Sequence, residues 1–337
     1  MQRKYDEKKV ITLQKYVRGF LARKQFGVKQ LPKSQQENYE AFAVGNDPII
    51  SGLSTYQVKS GKTALIATSG LRAVELACEL GNEKDTPKII IVDNSKEVCE
   101  FWRRVRTLAK EVGKKSDKKT FLSELALLLE KLGNTSNSLH PIYRDLSDSN
   151  CFPSDTYPDQ NILRYVDGLI NKFGYKYIVN VICQTTIIAQ SWLNTEALIK
   201  IKNILTYQQI SNVFMYPSNI PHCIANEENE EKANEVLENI EKIHPTLSIY
   251  TDCCPMHHIP ENVFLTTDCN ADKTRQMLFG SSMSCQTSSG NTRTLRINLD
   301  DLSSSDLFML LMMMSSNRSN RSNRNNNNDY GFNPFEQ

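Results

Sequence analysis

Long apolar runs are scarce in this sequence. The longest, Leu307 to Met314, is less than half of the roughly 20 residues that a bilayer-spanning helix needs, so no membrane span is expected. A glycine-rich loop is missing as well. Ser60-Gly61-Lys62-Thr63 ends like a phosphate-binding P-loop, but Tyr56 stands where that motif requires glycine. A strand pattern also follows it where a helix is required. Paired cysteine knuckles are absent. Asp252-Cys253-Cys254-Pro255-Met256-His257-His258, with Asp268-Cys269 downstream, offers ligand-type side chains only at irregular spacing. That pattern reads as thiols near surface histidines rather than as a zinc site or a thiolate–imidazolium nucleophile. The cysteine count of nine is odd, Cys78, Cys99 and Cys183 lie inside apolar runs, and no signal peptide opens the chain. Reduced, buried thiols are therefore expected. Nor is there an excess of one charge: 40 Lys and Arg against 38 Asp and Glu leave +2.

That near-balance hides a local asymmetry. Residues 1–26 hold Arg3, Lys4, Lys8, Lys9, Lys15, Arg18, Arg23 and Lys24 against only Asp6 and Glu7, a net of +6, and the rest of the chain is −4. The basic character is confined to the first segment, so a nucleic-acid-binding body is not indicated. Within that segment Val10, Leu13, Val17 and Phe20 recur at helical spacing and form one apolar stripe flanked by positive charge. A basic amphipathic helix of this kind suits an acidic partner with a soft, methionine-lined groove. A packed surface helix, a membrane-surface anchor and a targeting peptide are the other readings of such a stripe. Asp6 and Glu7 speak against a targeting peptide, and the stripe is poor in the large apolar residues of an anchor.

Leu13, Gln14, Val17, Arg18, Gly19, Phe20, Arg23 and Phe26 together resemble the IQ motif, with Leu13-Gln14 opening it, Arg18-Gly19 in the middle and Phe26 as the closing bulky residue. The resemblance implies binding of calmodulin or a calmodulin-like light chain. It also implies work in eukaryotic cytosol, by a protein native to it or by an effector that an intracellular bacterium delivers.

Residues 28–60 are polar and irregular and read as a linker or wrapping segment. From residue 61 a regular alternation begins. Strand patterns are expected at Thr63–Thr68, Lys88–Val92, Pro141–Arg144, Tyr177–Cys183 and Asn212–Tyr216, then at Leu247–Thr251 and Val263–Thr267 without a helix between them, and at Thr294–Leu299. Helix patterns are expected at Leu71–Leu80, Lys96–Val112, Phe121–Leu132, Asn161–Lys172, Leu193–Leu205, Glu227–Ile243 and Ser305–Met314. Trp102 and Trp192 read as core or lid residues. This order predicts an α/β domain over 61–314: a doubly wound, mostly parallel, Rossmann-like sheet with an antiparallel edge, preceded by the N-terminal amphipathic helix. Residues 315–337, rich in Ser, Asn and Arg, bury too little apolar surface to order and form a tail. The tail's Asn333-Pro334-Phe335 resembles the ligand of EH-domain proteins.

Ligands of such sheets sit beyond the carboxyl ends of the strands. There, Gly70 opens the first turn, and Asp93 ends the second strand at an interval suited to a ribose-binding carboxylate. Asp145 follows the third strand pattern. The arrangement is similar to the class I S-adenosylmethionine-dependent methyltransferases across Thr63 to Thr267. It implies S-adenosylmethionine as cofactor, held by Ser69, Gly70, Asp93 and Asp145, with no dedicated catalytic residue required. The loop Ala67-Thr68-Ser69-Gly70-Leu71-Arg72 departs from the family, which has two or three glycines there, and Leu71 and Arg72 fall where the cofactor lies. Two functions are therefore expected to compete: a calmodulin-regulated methyltransferase, and a non-catalytic scaffold whose IQ helix is the working element.

Overall fold

The computed structural model describes residues 27–280 apart from 40, 46, 69, 83–84, 134–138, 141–161 and 253–261. In chain order the elements are β1 (Ala41–Phe42), β2 (Lys62–Ala67), α1 (Arg72–Leu80), β3 (Lys88–Asp93) and α2 (Lys96–Leu108), which runs on into a π turn at Ala109–Gly113. They continue with α3 (Lys118–Gly133), β4 (Leu139–His140), α4 (Ile162–Phe173), α5 (Tyr175–Gln184), β5 (Thr186–Ala189), α6 (Thr195–Tyr207) and β6 (Ile210–Ser218). The last are α7 (Ile220–Glu227), α8 (Glu230–Ile243), β7 (Leu247–Thr251), β8 (Val263–Thr266) and α9 (Ala271–Phe279).

Six strands form the main sheet in the order β5-β3-β2-β6-β7-β8. The pairs from β5 to β7 are parallel, and β8 closes the edge antiparallel to β7, with Ile249 opposite Leu265. Numbered along the chain, the strands lie 3-2-1-4-5-6, the doubly wound order in which the connections reverse direction between β2 and β6. The expected sheet and its antiparallel edge are thus present. Short β1 and β4 make a separate parallel pair.

Side-chain alternation explains why both faces are covered. Leu65, Ala67, Ile89, Ile91, Phe214 and Tyr216 point into one apolar cluster with α1, α2, α4 and α5. Their neighbours Ala64, Ile66, Ile90, Val92 and Met215 point into the other, with α6, α8, α9 and Trp192. Continuous β-branched runs such as Ile89-Ile90-Ile91-Val92 suit a strand that faces a core on each side. Trp102 and Trp192 are both core residues, and the Trp192 indole donates to the Val92 carbonyl at 2.9 Å. Cys78, Cys99 and Cys183 are buried, and burial pushes each thiol up, Cys99 to about 12.

Three sequence expectations need correction or refinement. Tyr177–Cys183 is not a strand but the body of α5. Its Lys176, Asn180 and Gln184 are exposed at a spacing of four while Ile178, Val179, Val181 and Ile182 are buried, which is a helical face pattern hidden inside a β-branched run. The strand is instead Thr186–Ala189, only four residues long and at the sheet edge. The helix expected from Glu227 begins at Glu230, where Asn229 accepts from the Lys232 amide at 2.9 Å as N-cap, and α7 precedes it separately. The strand expected over Asn212–Tyr216 runs from Ile210 to Ser218 and includes Pro217. The missing N–H coincides with the register shift between Met215 and Ser218 in the ladder to β7. The patterns at Pro141–Arg144, Thr294–Leu299 and Ser305–Met314 lie outside the described residues.

Candidate functional site

The crevice where connections reverse, between the carboxyl ends of β2 and β6, is the place for a ligand in this architecture. The chain itself fills it. After β2 the backbone turns through Gly70 into α1. A Cβ on Gly70 would lie 2.1 Å from the Phe42 carbonyl oxygen and 2.5 Å from that of Ala43. Glycine is needed there because another stretch of backbone approaches so closely. The amides that open α1 are taken too: Leu71 N–H donates to Ala43 O and Arg72 N–H to Val44 O, both at 2.8 Å. These are the orphan donors that make a helix N-terminus attractive to anions, and carbonyl dipoles of residues 43 and 44 occupy them.

Asp47 anchors this inner stretch. It is 1% exposed and accepts hydrogen bonds from Thr251 Oγ1 at 2.6 Å, Ser218 Oγ at 2.7 Å and the Tyr216 hydroxyl. One carboxylate thereby ties the ends of β6 and β7 to the segment. Burial pushes its carboxyl up, opposed by the Thr251 and Ser218 hydrogen bonds and by the Arg72 charge, while Asp252 adds to the rise. Arg72, 2% exposed, donates from its two terminal nitrogens to Pro48 O at 3.1 Å and Asp47 O at 3.0 Å. Ser218 reaches Asp47 with a backbone φ of 55°, a left-handed conformation that is uncommon for serine and carries strain.

The stretch before it continues along the same edge. Leu31 N–H donates to Ala189 O at the end of β5 (2.8 Å), and the Gln30 side chain accepts from Ala189 N–H (2.6 Å). Gln190 donates to Lys29 O at 2.7 Å. Beyond the end of β3, Glu37 N–H donates to Asn94 O and Lys96 N–H to Glu37 O, both at 2.9 Å. Ser95, the N-cap of α2, donates to Tyr39 O at 2.6 Å. Residues 28–48 therefore form a strap that crosses the ends of β5, β3, β2 and β6 in turn.

Asp93 ends β3 beneath this strap. Its carboxylate is buried and accepts from Thr68 Oγ1 at 2.5 Å and Ser95 N–H at 2.8 Å. Gly70 and Asp93 are thus at neighbouring strand ends, as the sequence places them, with the strap over both. Ser69, Asp145, all eight IQ positions (Leu13 to Phe26), Cys253 to His258 and Asn333-Pro334-Phe335 lie outside the described residues. Among the described residues no cluster of three or more His, Cys, Asp or Glu suits a metal ion, and no helix is long and apolar enough to cross a membrane. Sequence reasoning missed Asp47, whose hydroxyl partners are 169 to 204 residues away. The only local signal was an Asp-Pro pair after a glycine.

S-adenosylmethionine does not fit this crevice as the chain fills it. The side of Gly70 open to a cofactor faces the Phe42 and Ala43 carbonyls, and the first α1 amides are already paired.

Comparison with known proteins gives a short family match and distant structural likenesses. The IQ calmodulin-binding motif family matches residues 7–27. No curated protein matches the chain. Among solved structures, the rRNA methyltransferase AviRa from Streptomyces viridochromogenes is similar at 10% identity over 60% of this chain and 70% of that one. The TM-score is 0.30, and a likeness of that degree carries no conclusion about activity.

Proposed function

We propose that this chain is an EF-hand-binding protein. Residues 7–27 capture calmodulin or a calmodulin-like light chain, and the α/β body serves as a scaffold whose ligand crevice is filled from within. The observation that carries the first part is the match of the IQ motif over 7–27. The second rests on the strap, above all on the Ala43 and Val44 carbonyls paired with the opening amides of α1. Partners of this kind are eukaryotic, so the reading places the protein in eukaryotic cytosol.

Size-exclusion chromatography of the full chain with calmodulin tests it. Co-migration is expected with calcium and in chelator. The double variant Gln14→Ala with Arg18→Ala should migrate apart from calmodulin in both conditions. Independent migration of the unaltered chain in both would end the proposal.

One observation favours a second reading, a calmodulin-regulated S-adenosylmethionine-dependent methyltransferase: Asp93 ends the second strand of a 3-2-1-4-5-6 sheet, beside the crevice. That reading requires residues 41–48 to leave the crevice. Thermal unfolding with S-adenosylmethionine and S-adenosylhomocysteine separates the two. A ligand at a hundredfold excess over its Kd adds about 2.7 kcal/mol of stability, whereas the filled crevice predicts no shift.

A further inference from the structure

The strap has two parts of unequal depth. In 27–39 only Val28, Leu31 and Gln36 are half-buried and the rest are exposed, whereas Ala41, Ala43, Val44, Gly45 and Asp47 are buried. The IQ motif ends at residue 27, and Val28 already packs against the second apolar cluster. Gly27 is the single residue between Phe26 and that first point of attachment, a reach of at most about 7 Å. A partner that encloses the motif as a helix needs more room. A neighbouring helix packs with its axis about 8–10 Å away and is itself about 10–12 Å across. Held within that reach of Val28, a partner layer of this thickness competes for room with residues 28–31 on the end of β5.

The geometry points to a mechanical coupling that rests on the EF-hand reading: capture of residues 7–27 peels the outer strap, 28–39, from the ends of β5 and β3, and leaves the inner strap seated. The fastenings of the outer part are few and shallow. They include the Leu31–Ala189, Gln30–Ala189 and Lys29–Gln190 hydrogen bonds at β5, the Glu37 and Tyr39 contacts at β3, the Tyr39 hydroxyl bond to Glu227 at 3.4 Å and the packing of Val28. Those of the inner part converge on a buried carboxylate and a buried guanidinium. Peeling uncovers the end of β3, where Ser95 and Asp93 sit.

Amide hydrogen exchange on the full chain, alone and saturated with calmodulin, tests the coupling. Leu31, Glu37, Lys96 and Ala189 should exchange at least about tenfold faster in the complex, while Leu71 and Arg72, paired with the inner strap, keep their protection. If calmodulin co-migrates and those four amides are unchanged or slower, the partner seats on the intact edge and the coupling is wrong, with the EF-hand reading intact. If calmodulin does not co-migrate, both fall. Linkage supplies a second readout, because weakening the outer strap must strengthen capture. Gln30→Ala removes one fastening outside the motif and should bind calmodulin about two- to tenfold more tightly, the equivalent of one net hydrogen bond. Unchanged or weaker binding overturns the coupling.

Discussion

The two parts of the strap follow one another across the carboxyl ends of the same sheet, yet they are held by different physics. The outer half lies on the ends of β5 and β3 through single backbone and side-chain hydrogen bonds, the side-chain ones only partly buried. Each is worth about 0.5–1.5 kcal/mol net, because water competes for the same groups. The inner half is buried, and its polar groups have no water to return to. Tyr216, Ser218 and Thr251 all donate to the Asp47 carboxylate, and Arg72 donates to the Asp47 and Pro48 carbonyls, so removing Asp47 or Arg72 leaves several buried polar groups without that partner. Depth, more than the number of bonds, separates a fastening that a partner can undo from one that belongs to the core.

The comparison breaks most visibly at Arg72. Arg72→Ala deprives the Asp47 and Pro48 carbonyls of their donors and the buried carboxylate of its neighbouring charge. A loss of about 3–5 kcal/mol in urea unfolding is expected. Gly70→Ala comes next. Its Cβ meets backbone rather than a pliable side chain, so the inner strap must shift at a cost of about 1–3 kcal/mol, with faster exchange at Leu71 and Arg72.

Asp47→Asn sharpens the contrast through pH. The folded carboxyl titrates above its ordinary value of 3.8. Its contribution is therefore complete below about pH 4 and declines as pH rises through the folded value. The stability advantage of the unaltered protein over Asp47→Asn should shrink across that rise, and a flat difference between acid and neutral unfolding curves would contradict the assignment. The smallest effect is expected in the outer half. Gln36→Ala removes one bond to Leu31 O at 2.8 Å and also a buried amide oxygen that has no partner among the described residues. The change should stay within about 1 kcal/mol.

Legibility in the sequence followed how local each signal was. Ile89-Ile90-Ile91-Val92 and Asn212 to Tyr216 announced buried strands because a two-faced strand writes an unbroken apolar run. The same logic misread α5, where Ile178-Val179 and Val181-Ile182 look like a strand until the exposed Lys176, Asn180 and Gln184 are noticed. The IQ motif was legible because its positions are contiguous. The filled crevice was not. Residues 41–48 carry no periodicity, and the meaning of Asp47 resides in hydroxyls that only the folded sheet brings to it. Gly70 and Asp93 were found at the expected strand ends, but no property of Gly70 alone tells whether a ligand or the protein's own backbone comes close.

The three buried thiols supply a clock for the fold's opening. Cys78, Cys99 and Cys183 sit on α1, α2 and α5, all under one face of the sheet, with their thiols held protonated by burial. An alkylating reagent needs the thiolate and a path to it, and the closed protein withholds both. Pulse labelling followed by mass spectrometry would then count how often that layer parts from the sheet. It would do so without a dye, a tag or a denaturant, and separately for each of the three helices.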